Sequence, residues 1–416
     1  MIDLTSTLPE MKSGQELISA LSIVPEYDES IRKANHPTRL LALSDLYRIY
    51  FPSSMSVDIY NKLYLALFHS MQKKNSQMAI KQRYENYKRI NGQLYTSILG
   101  GSDAFTIIGT SGIGKSSAIS RAVALLSEKE IIEIENPYTK IIPVLVVQCP
   151  FDASVKSLLL EILRKIDDVF GTDYYIHSVK ARKSTTDVLI GEVSSIAINH
   201  IGMLIVDEIQ NVVNSKNGRN LIGALTQLIN NSGISICMVG TPESAIFFES
   251  AMQLARRSIG LRYSTMQYDD YFQSFCKFIF QYQYVQHKTS ITPAITEWLY
   301  EHSAGIISIV VVLIHDAQEI AIVNGMEELN LYTLNEAYKQ RLDLLHSYIQ
   351  PSIEQINSTS IKSTRKKEVK KGNSESVNNK QQCAFSIEEI IKFVKDKDLN
   401  AVDILKDFYT VNEVRI

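Results

Sequence analysis

The chain has 416 residues, 45% hydrophobic and 21% charged, which excludes a disordered or fibrous protein and allows one large core or two smaller ones. Lysine plus arginine total 43 against 45 aspartate plus glutamate, a formal net charge of -2, so a purely electrostatic nucleic-acid coat is excluded. Any DNA contact must come from local patches.

Residues 1–56 mix polar turns with short amphipathic stretches, and His36-Pro37 and Phe51-Pro52 interrupt them, because the residue before proline is pushed away from helix. They read as an extension, not a core. From Val57 to about Leu99, Ile59, Leu63, Leu67 and Met71 recur at helical spacing, followed by Lys73, Lys74, Lys81, Arg83, Lys88 and Arg89, a helical pattern with a basic face that also suits an ordinary solvated surface. A regular alternation follows: strand Ala104 to Ile108, helix from Lys115, strand Ile141 to Gln148, helix Ser154 to Phe170, strand Met203 to Val206, helix around Leu221 to Ile229, and strand Ile234 to Val239. Near-continuous Ile/Val/Leu strands separated by helices indicate an α/β fold, a parallel sheet covered on both faces. Residues 57–267 form this domain together with its amino-terminal helical part. After about Tyr268 helical spacing dominates, predicting a smaller all-helical lid over 268–350. Residues 351–382 have almost no large apolar side chains and read as a disordered linker. Phe385 to Phe408, within the tail 383–416, reads as one or two short helices that need a partner surface.

Gly109, Thr110, Ser111, Gly112, Ile113, Gly114, Lys115 and Ser116 satisfy GxxxxGK[ST], between a strand and a helix that continues through Ser117. The glycines turn backbone N–H groups around phosphate oxygens, and the helix start adds its positive end. Lys115 would reach the β- and γ-phosphates of ATP, and the Ser116 hydroxyl would coordinate Mg²⁺. Met203-Leu-Ile-Val-Asp207-Glu208 sets two carboxylates after a buried strand, at the sheet edge where ligands bind in open α/β folds. Asp207 would hold Mg²⁺ and Glu208 would polarise the attacking water. Thr241 ends the next strand, where a hydroxyl contacts the γ-phosphate or the lytic water, although Gly-Thr-Pro also suits a plain turn. Arg256, Arg257 and Arg262 supply candidate arginine fingers for a neighbouring subunit, with surface solvation as the alternative.

Four cysteines lie far apart without a CxxC pair, so neither a zinc site nor a disulfide framework is indicated. The first residues lack a positive leader, and Ile306 to Ile314 is too short to span a bilayer. The chain therefore reads as soluble, cytoplasmic and without membrane association.

These motifs in this order, with a helical lid, resemble the AAA+ ATPases and within them the initiator-like branch. The stretches IIGTSGIGKSSAI, LVVQCPFDASVKSLLLEILRKIDDVFGTDYY, GMLIVDEIQNVVNSKNG, SICMVGTPESAIF and QLARR resemble the transposition regulators of the TnsC/TniB type, over roughly residues 45–320. The resemblance implies a P-loop AAA+ sheet and an ATPase, whose turnover is expected to be slow and regulatory because the sensor 2 region lacks an arginine. It also implies an ATP-dependent regulator that oligomerises as a ring or filament on double-stranded DNA, receives a target-selection protein and signals to transposase subunits. Lys156 and the cluster Lys180, Arg182 and Lys183 are the candidate phosphate contacts, or else ordinary surface cations. One departure is that Ser303 to Ser308, in the usual sensor 2 region, offers no arginine. A secretion-system ATPase and a replication initiator or helicase loader are the competing readings, but neither a membrane extension nor room for a winged helix is visible.

Overall fold

The apolar runs become strands. In the computed structural model, which describes residues 3–75, 104–135, 138–180, 185–213, 215–245 and 260–341, the strands are β1 (Ala104–Gly109), β2 (Ile132–Glu135), β3 (Tyr138–Gln148), β4 (Ile201–Asp207), β5 (Ser235–Gly240) and β6 (Leu261–Tyr263). They form one sheet in the order β2-β3-β4-β5-β1-β6. Only the β2–β3 hairpin is antiparallel; the other neighbours run parallel.

Strand alternation divides the side chains between two cores. Ala104, Ile108, Leu204, Val206, Ile236 and Met238 face one layer, while Phe105, Ile107, Met203, Ile205, Cys237 and Val239 face the other. Helices cover the first layer: α5 (Val155–Phe170), α7 (Thr186–His200) and α8 (Gly218–Ser232). Helix α5 shows why the local sequence folds this way. The Ser154 hydroxyl accepts from the Ser157 N–H at 3.3 Å, Leu158, Leu159, Ile162, Leu163 and Ile166 form the buried stripe, and Gly171 at φ 68° closes the end. Asp167 then accepts from the Tyr174 and Tyr175 N–H groups, starting the short α6 (Tyr174–Lys180). The opposite layer is covered by α1 (Gly14–Leu21), α3 (Ser54–Lys74) and α4 (Lys115–Leu126).

A third core belongs to the lid, built from α9 (Asp270–Ile279), α10 (Pro293–Ser303), α11 (Ile307–Val323) and α12 (Leu331–Arg341) around Phe272, Leu299, Leu313 and Ile314. The greasy run Ile306 to Ile314 thus opens a lid helix, and among the described residues no single helix is long and apolar enough to cross a membrane.

The amino-terminal residues depart from the expected extension. Leu4, Leu17 and Leu21 are buried in the layer with α3 and α4, and Leu43 and Leu46 in the lid core. Pro37 does not interrupt a helix either. It sits in the first turn of α2 (His36–Ala42), where its missing N–H costs nothing and the Asn35 side chain caps the Thr38 N–H at 3.0 Å. From α2 the guanidinium of Arg39 enters the lid, donating to Glu327 at 2.6 and 2.7 Å and to the Tyr284 carbonyl at 3.1 Å. The expected helix running on to Leu99 is described only as far as Lys74. The linker and tail after residue 350 also lie outside the described residues.

Candidate nucleotide site

Strand register brings the chemistry to one sheet edge. Ile108 pairs with Gly240, Val206 with Met238, and Gln148 with Asp207, so the carboxyl ends of β1, β4 and β5 are level and adjacent. The loop from β1 to α4 wraps that edge. Gly112 and Gly114 take φ 81° and 96°, left-handed values that only glycine adopts freely. A β-carbon at Gly109 would lie 2.9 Å from the Tyr263 carbonyl, so the absence of a side chain lets β6 close against the loop.

Lys115 is the first residue of α4 and only 9% exposed. Its ammonium donates to the carbonyls of Gly109 at 2.6 Å and Thr110 at 2.7 Å. Burial lowers its pKa against the opposing pull of Asp207, Glu208 and Glu243. The Ser116 hydroxyl lies 3.4 Å from Asp207 Oδ2, a pair of hard oxygens suited to Mg²⁺. The other Asp207 oxygen accepts from the Glu208 N–H at 2.8 Å. Glu208 takes the left-handed φ of 57°, which turns its side chain out of the strand. Thr241 donates to Glu243, the first cause of that carboxyl's lowered pKa. Its carbonyl accepts from the Ser244 N–H at 3.0 Å, so the expected plain turn and the expected site position coexist.

Ser111, Gly112, Gly114, Lys115, Ser116, Ser117, Asp207, Glu208 and Thr241 line one cavity of about 230 Å³. Gly112, Gly114 and Ser117 also line a second, mainly apolar chamber of about 220 Å³, walled by Tyr50, Phe51, Met55, Tyr271, Phe275 and Val311. The sequence reading missed this chamber, because its walls come from segments more than 200 residues apart. The lid closes it: the Ser308 N–H, at the start of α11, donates to the Gly112 carbonyl at 3.2 Å. In place of a sensor 2 arginine, a serine touches the loop.

The remaining candidates are dispersed. Lys156, in the first turn of α5, and Lys180, at the end of α6, are exposed and line neither cavity. Arg182, Lys183, Arg256 and Arg257 lie outside the described residues. Arg262 lies on β6, beside Ile108 of β1. The thiols of Cys149 and Cys276 are buried and pushed up to about 12, which leaves them chemically inert.

The family model described as "Bacterial TniB protein" matches residues 100–265, the stretch that carries the loop and the carboxylate pair. Over that stretch the chain is similar to the TniB family. No curated protein matches the chain. Among solved structures the chain is similar to the ORC2 protein of Aeropyrum pernix in its ADP form, at 16% identity over 64% of this chain and 68% of that one, TM-score 0.39. It is similar to the Aeropyrum pernix ORC1 protein in complex with DNA, at 13% identity over 81% and 78%, TM-score 0.42. A Walker-type ATPase of Pyrococcus abyssi matches at 14% identity over 68% and 76%, TM-score 0.38. The sheet order, the P-loop and the helical lid give this chain the AAA+ form of the α/β fold.

Proposed function

We propose that this chain is an ATP-hydrolysing regulator of DNA transposition. The observation that carries the reading is the pair of neighbouring cavities that share Gly112, Gly114 and Ser117: a mainly apolar chamber, with room for a base, lies beside a polar cavity lined by an ammonium and two carboxylates. ATP divides its chemistry in the same way.

The β- and γ-phosphates take the Lys115 ammonium from the Gly109 and Thr110 carbonyls, and the loop N–H groups and the start of α4 complete the anion cradle. Ser116 and Asp207 would hold Mg²⁺, which supplies charge neutralisation on the phosphate oxygens. Glu208 orients a water and takes its proton as the water oxygen bonds to the γ-phosphorus and the bond to the bridging oxygen breaks, releasing ADP. Thr241 stands beside that path. Arg256 or Arg257 of a neighbouring subunit completes the charge balance, so hydrolysis is slow in an isolated chain and depends on assembly.

The TniB match supports a role in transposition, with double-stranded DNA, a target-selection protein and transposase subunits as partners. Lys156, Lys180, Arg182 and Lys183 serve as phosphate contacts, which makes the DNA binding sequence-tolerant and salt-sensitive. The tail 383–416 supplies an apolar set that docks either on the transposase or on a neighbouring subunit. The test is electron microscopy of the chain with double-stranded DNA and a non-hydrolysed ATP analogue. Rings or filaments that need both are expected; no assembly in the presence of saturating analogue would overturn the DNA-assembly reading.

A further inference from the structure

We propose that Gln210 is a positioning residue for Glu208, holding one carboxylate oxygen so that the other is presented to the attacking water. The inference rests on the hydrolytic reading of the site above.

The backbone brings the two side chains together. Glu208 takes φ 57° directly after β4, Ile209 is fully buried beneath it, and a single 3₁₀ turn over Ile209–Val212 carries Gln210 back to the same edge. The Asn211 N–H closes this turn on the Glu208 carbonyl at 3.1 Å. Both side chains line the polar cavity, and the Gln210 Nε2 donates to Glu208 Oε2. The opposite amide orientation would set a carbonyl oxygen against a carboxylate, so the donor must face Glu208. Room for the amide comes from Gly240, where a β-carbon would lie 3.0 Å from Gln210 Oε1.

The far end of the amide shows that packing does not explain the residue. Gln210 Oε1 is buried with no hydrogen-bond partner among the described residues, a cost that an apolar side chain of similar length would avoid. The donor end is what a methionine would not provide. A carboxylate at the mouth of a cavity otherwise rotates freely, and a misdirected base loses rate without losing ligand. The Gln210 amide occupies one oxygen and fixes the plane of the other. No such relation is visible in the sequence, where Gln210 is simply the second residue after an acidic pair.

The test uses the full chain and steady-state hydrolysis together with binding of a non-hydrolysed ATP analogue. Gln210→Met keeps the bulk and removes the donor. It should lower kcat about 10- to 100-fold while KM and analogue affinity stay within about twofold. In a Glu208→Gln background the same change should cost almost nothing more, because the group it positions is already gone. Unchanged or raised kcat, a KM that rises in step, or a full additional loss in that background would each overturn the proposal. A parent chain that does not hydrolyse ATP, or a Glu208→Gln variant as fast as the parent, would instead overturn the reading of the site beneath it.

Discussion

Removing the Glu327 carboxylate should unfasten the amino-terminal segment from the lid. Arg39 is fully buried and permanently charged; it meets Glu327 through two hydrogen bonds of 2.6 and 2.7 Å, and Glu327 also accepts from the Gln286 N–H at 3.1 Å. Glu327→Ala leaves the guanidinium without a counter-charge in the lid core, which costs about 3–5 kcal/mol. Trp298, the one tryptophan of the chain, stacks on His302 in α10 with ring centroids 4.0 Å apart, so its fluorescence reports on the lid. At slopes of about 2–3 kcal/mol per M urea, the midpoint should fall by roughly 1–2.5 M. The exposed pair between Glu29 and Lys288 joins the same two regions, and because solvent screens it Glu29→Ala should leave the midpoint nearly unchanged. Acid should reproduce part of the first effect. Arg39 is the first cause that holds the Glu327 carboxyl below the ordinary value of 4.5, so the contribution is complete above 4.5 and is lost as pH falls through the lowered value. His36, whose Nε2 lies 3.4 Å from Glu327 Oε1, adds attraction when protonated and does not reverse the sign. An unchanged midpoint for Glu327→Ala, or equal losses for the two variants, would refute the claim that residues 3–53 are structural.

Three further outcomes are expected. Glu208→Gln should bind ATP like the parent and hydrolyse it about 10²- to 10⁴-fold more slowly, measured by phosphate release, and should accumulate in DNA-bound assemblies. Gly112→Ala should lower the thermal midpoint and weaken nucleotide binding: at φ 81° the new β-carbon would lie 2.5 Å from Ser308 Oγ and 2.8 Å from Ile306 Cγ2, whereas Gly14→Ala, at φ 53° in open space, should show only the smaller left-handed penalty. Mixing a Lys115→Ala subunit with an Arg256→Ala/Arg257→Ala subunit should restore hydrolysis, and no recovery at any ratio would remove those arginines from the active site.

What the sequence made legible is what neighbours in sequence decide. The loop from Gly109 to Ser116 and the Asp207–Glu208 pair are contiguous, and their strands are long enough to show as apolar runs. β6 has three residues and β2 four, too few for a pattern to register. The leucines of the first 56 residues are separated by polar turns and become core only through α3, α4 and the lid. Nothing in the sequence marks Arg39 for burial, because the carboxylate that pairs with it lies 288 residues away. The aromatic chamber was invisible for the same reason, since Phe51 and Phe275 meet only after the lid has folded back.

The most direct measurement of the account is a calorimetric titration of ATP with Mg²⁺ into the full chain and into Lys115→Ala. The parent should bind one nucleotide per chain, and the variant should lose at least about 3 kcal/mol, roughly 100-fold or more in affinity, because the phosphates lose their buried ammonium. Equal affinity in the two proteins, or no binding by the parent, would contradict the assignment of the sheet edge as a nucleotide site.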